Sequence, residues 1–301
     1  MSSSPAFDSL YARLEDASDL PAPPWALVAE TASSLVLDLG DGSVLKAIRK
    51  RGGLSSGEAR FRREAAALRA MVDLDPGLLR VPKLIGRGVC SNSGFLDMPL
   101  AGWIRTEKLE GRSYSFDSFS VLPSETREHM GERLGVAIAS LHQIPQVHVE
   151  RLAKLGDPVT RQLGLCLQSL SSPQDLPRLQ RLEALWLEAA NTSLVLHGNL
   201  SMDNIVWDKS GAPAFTGWCE AGAGAPESDL AAFEPFGPLR DAILRGYAAR
   251  MGARPDMARY RLAAAARAFV TLAIEGDQGH PREGMRRRRM LEEYLLQAGI
   301  E

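Results

Sequence analysis

The alternation of apolar and polar positions divides this 301-residue chain into two kinds of territory. Phe7, Leu10, Tyr11 and Leu14 recur at spacings of three and four, which predicts a short amphipathic helix over residues 4–19, ended by Pro21, Pro23 and Pro24. Residues 25–30, 35–39 and 43–49 then read as strands, the last two joined by Gly40-Asp41-Gly42, a strong hairpin signal. A helix is expected over 57–72, with Phe61, Ala65, Leu68 and Met71 or Val72 as its buried stripe. Glu64 lies in its middle, and Glu58 and Arg63 fall on its solvent face. Residues 82–88, 94–99 and 103–109 are further strand candidates. From Leu122 the pattern turns helical, beginning with 124–142, where Ser124 is the expected N-cap and Met130, Leu134, Ile138 and Leu141 share a face. Helices are also expected over 160–170, 177–190, 238–250, 256–275 and 281–297.

One stretch interrupts the helical half. Two apolar runs, Leu194 to Leu196 and Ile205 to Trp207, flank a polar segment, and Gly211-Ala212-Pro213 turns the chain towards a third run at Ala214 to Thr216. A polar loop gripped by buried strands is held rigidly enough to carry chemistry.

Composition narrows the function classes. Hydrophobic content of 45% and charge of 24% are ordinary for a globular chain, and the formal net charge of −2 supplies no global field for nucleic acid or an anionic membrane. The run Arg286 to Arg289 reads as the solvated face of the last helix, since Met290, Leu291, Tyr294 and Leu295 continue at helical spacing. Cys90, Cys166 and Cys219 are odd in number and far apart, so neither a disulfide framework nor a zinc site is suggested. Reduced thiols, the absence of a signal-peptide pattern and the lack of a run of ~20 apolar residues fit a cytoplasmic protein.

The stretch His197-Gly198-Asn199, followed after four residues by Asn204, and then Gly217-Trp218, resembles the catalytic and metal loops of the aminoglycoside phosphotransferase and choline kinase family, small-molecule relatives of protein kinases. The segment from Glu220 to Ala231, with Gly222, Gly224, Pro226 and Asp229, resembles the motif that follows in that family. The resemblance implies an α+β bilobal kinase-like fold, with an N-terminal lobe over 1–108 and a mainly helical lobe over 109–301. Further matches follow from it. Lys46 resembles the strand lysine that meets nucleotide phosphates, and Glu64 the helix glutamate that pairs with it. Ile104 to Gly111 resembles the interlobe hinge, where backbone groups of Glu107 and Leu109 would read adenine or guanine. Thr31 to Ser34 stands where kinases cover the phosphates; it has hydroxyls and no glycine, and reads equally as an ordinary tight hairpin. His142 ends a helix that resembles one packing beneath the catalytic loop, as a hydrogen-bonding histidine. Glu275, Asp277 and Glu283 lie near where aminoglycoside kinases hold cationic substrates, and read alternatively as exposed helix-end acids.

Three acids of the family pattern are absent. Asn199 stands where the family has the Asp that orients the substrate hydroxyl, Gly217 where it has a metal-binding Asp, and Ala225 where it has a third. His197 is expected to be structural. Loss of a positioned base costs ~10²–10⁴ in rate. With Asn204 as the sole magnesium ligand, both losses together remove roughly 5 kcal/mol or more of transition-state stabilisation. Asp203, Asp208 and Glu220 are the candidate substitute ligands. The expected function is therefore that of a pseudokinase binding ATP or GTP, with magnesium weak or absent, or binding a small molecule or a partner protein. The alternatives are a working ATP- or GTP-dependent small-molecule kinase with displaced acids, and an interaction protein with an empty cleft. Neither nucleic acid nor membrane is an expected partner.

Overall fold

The computed structural model describes residues 20–21, 24–50, 55–71, 79–90, 99–169, 175–190, 192–275 and 281–300. The expected helix over 4–19, all of the expected strand over 94–99 but its last residue, Asp277, and the side chains of Glu275 and Glu283 lie outside them. The chain divides into two compact units, one of Met1–Asp73 with Val81–Glu110, the other of Leu74–Arg80 with Gly111–Glu301. The architecture is α+β, with an antiparallel sheet in the first unit and mainly helices in the second.

The first unit is built on five antiparallel strands, β1 (Ala26–Glu30), β2 (Ser34–Asp38), β3 (Ser43–Arg49), β4 (Leu84–Val89) and β5 (Leu100–Glu107), in the order β1-β2-β3-β5-β4. The β2–β3 turn forms as the sequence predicts: Gly40 and Gly42 have φ of 78° and 81°, and the Asp38 carboxylate accepts the Gly40 N–H at 3.0 Å. Alternation along β3 sends Leu45 and Ala47 into a core with Leu20, Trp25, Leu35, Leu37, Leu39, Leu100 and Trp103. Lys46 therefore emerges on the opposite face, towards α1 (Gly57–Ala70).

In α1 the expected stripe of Phe61, Ala65, Leu68 and Met71 is buried, but Arg63 is not on a solvent face; it is only 8% exposed. The buried side of the helix also includes Arg60, Glu64 and Ala67, wider than an apolar stripe alone would indicate. Long charged side chains can cover their stems while the head finds a partner; Arg60 donates to the Arg49 carbonyl at 3.1 Å. The strands expected over 82–88 and 103–109 form two residues later and three residues earlier respectively.

In the second unit the helices are α2 (Phe116–Ser120), α3 (Ser124–His142), α4 (Gln146–Ala153), α5 (Pro158–Ser169), α6 (Leu176–Ala189), α7 (Glu227–Leu230), α8 (Pro238–Met251), α9 (Met257–Glu275) and α10 (Pro281–Gln297). Ser124 is the first residue of α3 rather than its cap. Pro123 stands at the cap, where the missing N–H costs nothing. Met130, Leu134, Ile138 and Leu141 are buried as expected. Short α2 and α4 were not evident from periodicity. Helices α3 and α8 pack unusually closely: a Cβ on Gly135 would stand 2.1 Å from the Ile243 carbonyl oxygen, and one on Gly246 2.0 Å from that of Glu132. Ala263 to Ala266 are buried in α9, against which α5, α6 and α10 pack. The Arg286 to Arg289 face is not simply solvated, because Arg288 binds the buried Asp175 carboxylate at 2.9 Å.

Two small ladders complete this unit. Strands β6 (Leu194–Leu196) and β9 (Gly222–Gly224) pair antiparallel, as do β7 (Ile205–Trp207) and β8 (Pro213–Phe215). The loop between β6 and β7 is thus held at both ends by different partners. Among the described residues no helix is long and apolar enough to cross a membrane.

Candidate functional site

The loop leaving β6 is fixed by a fully buried carboxylate. Asp229, in α7, accepts the His197 N–H and the Gly198 N–H, each at 2.9 Å, and its Oδ2 lies 3.3 Å from His142 Nε2. Burial alone would raise the Asp229 carboxyl; the hydrogen bond with His142 and the His197 backbone N–H outweigh it and hold the group below the usual carboxylate range. His142 Nδ1 meets the Tyr247 hydroxyl at 3.0 Å. Burial, with the Glu227 and Asp229 charges, pushes that phenol up, so its O–H remains available to donate.

His197 is fully buried between the Phe215 and Trp218 rings. A carbonyl can only accept, so its contact with Thr216 O at 2.7 Å places the proton on Nε2, and Nδ1 accepts the Asn199 N–H at 3.2 Å. The ring therefore ties the loop to the strand end after β8. Both ring nitrogens are thereby engaged in holding the loop.

Asn199, Asn204 and Gly217 come together beyond this scaffold. Asn204 Nδ2 donates to the Asn199 carbonyl at 2.8 Å, and its own carbonyl accepts the Thr216 N–H at 2.9 Å. Asn199 Nδ2 points at Gly217 O, 3.4 Å away, and at Cys219 Sγ, 3.7 Å away. Gly217 is left-handed, with φ 75° and ψ 45°, and a Cβ built there would lie 2.4 Å from Asn204 Oδ1. The Asn204 amide oxygen thus occupies the space in which a side chain at 217 would begin.

This donor set does not suit magnesium, a hard cation held by carboxylates in octahedral geometry. The substitute acids are committed elsewhere or poorly provided. Asp208 accepts from Ser210 and Ala212 and pairs with Arg80 at 2.7 Å. Glu220 pairs with Arg161 at 3.1 Å. Asp203 is exposed on the loop and stands alone as a carboxylate there; among the described residues no group of three His, Cys, Asp or Glu side chains could hold a metal.

In the first unit Lys46 Nζ reaches both Glu64 oxygens, at 2.9 and 2.8 Å, with the glutamate side chain 5% exposed. The ion pair anticipated from strand and helix placement is therefore formed. At the end of β5 the Glu107 N–H is donated to Lys83 O and the Lys108 N–H to Gly42 O, both at 2.9 Å. The turn over Thr31 to Ser34 closes on itself: the Thr31 hydroxyl oxygen accepts the Ser33 and Ser34 N–H groups at 3.2 and 3.0 Å, and the Thr31 N–H goes to Ser34 O at 2.9 Å. These are the donors that a phosphate-cradling loop would keep free.

Asp229 and Tyr247 were given no role by sequence reasoning. The position of Asp229 within the Glu220 to Ala231 segment was the available signal, because a carboxylate beside apolar residues needs strong partners there.

The model of the phosphotransferase enzyme family APH matches residues 25–263. No curated protein matches the chain. Similar solved structures include the GDP and kanamycin complex of the phosphotransferase APH(2")-IIIa, with a TM-score of 0.67 at 14% identity over 93% of this chain and 95% of that one. A putative aminoglycoside phosphotransferase from Ralstonia eutropha gives 0.63 at 17% identity over 98% and 97%. A choline/ethanolamine kinase family protein from Mesorhizobium loti gives 0.62 at 16% identity over 96% and 95%. The matched span covers most of the chain and contains the Lys46–Glu64 pair and the whole loop from His197 to Asp229, and the chain belongs to the APH phosphotransferase family.

Proposed function

We propose that this chain is a pseudokinase of that family, impaired in phosphotransfer and acting by binding a nucleotide, a small molecule or a partner protein. The observation that carries the reading is the place of Asn204 Oδ1, 2.4 Å from where a Cβ at Gly217 would stand: the amide fills the space from which a carboxylate would have to reach a metal. Asn199 adds an amide without useful basicity. Related structures hold GDP, ADP and kanamycin, which supports a nucleotide as the first ligand to try. The Glu107 carbonyl and the Leu109 N–H are the hinge groups suited to reading its base, and Lys46 the group suited to its phosphates.

A working small-molecule O-phosphotransferase is the second reading, favoured by exposed Asp203 next to Asn204. Thermal shifts with ATP and GTP, with and without magnesium, followed by nucleotide turnover with kanamycin and choline as acceptors, distinguish the readings. Stabilisation without turnover is expected. Turnover at ordinary kinase rates of ~1–100 per second would overturn the pseudokinase reading. No shift with either nucleotide would favour an interaction protein.

A further inference from the structure

In the first unit, the open side of α1 and the strand beside it carry more positive charge than the described carboxylates there balance. Arg62, Ala66 and Arg69 follow one another at helical spacing on the arc of α1 that is not buried, with Glu58 at its start. Strand β4 is the last in the sheet order and pairs with β5. Its register sets Arg87 opposite Ile104 and Val89 opposite Gly102. Ile104 in turn lies opposite Lys46, so Arg87 and Val89 stand on the sheet face towards α1. Val89 is 47% exposed, and Ile85, at the bulge between Leu84 and Gly86, is 50% exposed.

The tally on this surface is three arginines to one glutamate. Among the described residues, the side chains of Arg62, Arg69 and Arg87 make no hydrogen bond or ion pair. Glu58 precedes Arg69 by about three helical turns, roughly 16 Å along the axis. Arg69 and Arg87 are close enough to repel: partial desolvation, and then the Arg69 charge, pull the Arg87 guanidinium below its usual range. Other cations of this unit are matched, Lys46 by Glu64, Arg105 by Asp41 and Lys108 by Asp38. Two like charges with open donors and no acid between them are relieved by a carboxylate brought from outside.

We propose that the surface formed by β4 and the open arc of α1 is a docking site for an extended acidic segment of a partner protein, which runs beside β4 and places a carboxylate between Arg69 and Arg87. The strand sets the partner's pattern. A chain alongside presents side chains to one face at every second residue, so apolar residues two positions before and after the acid would cover Ile85 and Val89. An end strand also offers backbone hydrogen bonds to an extended chain, which a bilayer surface would leave unused. The site lies apart from the loop at Asn199, so turnover there would overturn the pseudokinase reading and leave this proposal standing.

The test is fluorescence polarisation on the full chain with a labelled peptide whose core is leucine-serine-glutamate-serine-valine, beside the same peptide with lysine for glutamate. The glutamate peptide should bind, more weakly as salt rises, and the lysine peptide should bind about tenfold more weakly still. Arg87→Glu and, separately, Arg69→Glu should each lower affinity for the glutamate peptide about tenfold or more and raise it for the lysine peptide. Ile85→Ser should weaken the glutamate peptide without changing its salt dependence, which tests the apolar contact even if an arginine variant folds poorly. No binding at millimolar concentration, equal binding of the two peptides, or unchanged affinity in Arg87→Glu would each overturn the proposal. Binding of phosphatidylserine vesicles without binding of the peptide would overturn it in favour of a membrane.

Discussion

Two parts of one loop have met different fates. The backbone N–H groups of His197 and Gly198 are both donated to buried Asp229, which His142 also contacts, and the His197 ring is tied to Thr216 O; beside them Asn199, Asn204 and Gly217 offer amides and a bare Cα where the family pattern has charge. The contrast separates two jobs that catalytic loops usually combine. Bonds that hold the loop satisfy buried backbone groups and are needed for folding whether or not chemistry occurs. Carboxylates clustered for a metal repel one another without it, so their replacement by Asn and Gly removes a strain from the metal-free protein. On the proposed pseudokinase reading, the scaffold would be kept while the chemistry is lost, at little cost in stability.

The widest separation should come from substituting each side in turn. Asp229→Asn should cost about 3–5 kcal/mol in denaturant unfolding, since a buried, fully engaged charge is lost and an amide cannot accept from both N–H groups and a histidine. Asn199→Ala should cost about 1 kcal/mol or less. Because the Asp229 carboxyl is held below its ordinary value, its contribution is complete above about pH 3.9, the unfolded value, and fades as pH falls through the lower folded value. In Asp229→Asn that part of the acid limb should vanish. Equal losses for the two substitutions would erase the distinction between scaffold and site.

The Lys46–Glu64 pair sharpens the comparison from the other unit, since it too combines holding and chemistry. Lys46→Met should destabilise by about 2 kcal/mol by leaving a nearly buried carboxylate alone, and Lys46→Met with Glu64→Leu should recover much of that loss, as measured by chemical unfolding. Failure of the double variant to recover would mean that the pair does more for the fold than balance its own charges.

This pair was legible in the sequence because period-two alternation on β3 and the 3.6 period of α1 each fix a direction independently. The Gly40 to Gly42 hairpin and the loop from β6 to β8 were legible for the same local reason. Arg63 was misplaced because periodicity counts apolar residues, whereas the buried side of α1 is wider than its apolar stripe and includes Arg60 and Arg63. The closed Thr31 turn could not be chosen over an open phosphate loop, since the composition suits both and hydrogen-bond closure decides. Asp229 could be seen as part of a motif but not as a clamp: its partners His142, His197 and Gly198 are 31 to 87 residues distant. The fit of Asn204 against Gly217 is a packing fact that spacing cannot express.

Smaller effects are expected when charge is put back. Asn199→Asp replaces an N–H donor facing Gly217 O at 3.4 Å with a carboxylate facing the same acceptor, and should cost about 1 kcal/mol. Gly217→Asp must accept a left-handed backbone, roughly 1–2 kcal/mol, and displace Asn204 Oδ1, so magnesium should stabilise this variant more than the parent. Asn199→Asp alone should restore no nucleotide turnover over a heat-killed control, because orientation returns without metal. Only the double variant should show a trace.

The smallest expected effect concerns the parent itself. If it binds ATP or GTP, calorimetric affinity with magnesium and with EDTA should agree within about threefold. The reasoning is one of charge: a nucleotide brings magnesium on its own phosphates, and a protein discriminates between the loaded and free forms by offering the ion a ligand. Asn204 offers only a neutral amide oxygen, Asp208 is paired with Arg80, and Glu220 with Arg161. Lys46 attracts phosphate in either form, and somewhat more when no magnesium masks its charge. A tenfold gain in affinity with magnesium is worth about 1.4 kcal/mol and would require a carboxylate to reach the ion. Asp203, exposed next to Asn204, would then be the residue to remove. If Asp203→Asn abolished that gain, the displaced-acid enzyme would become the better reading, and the loop would have moved its charge rather than lost it.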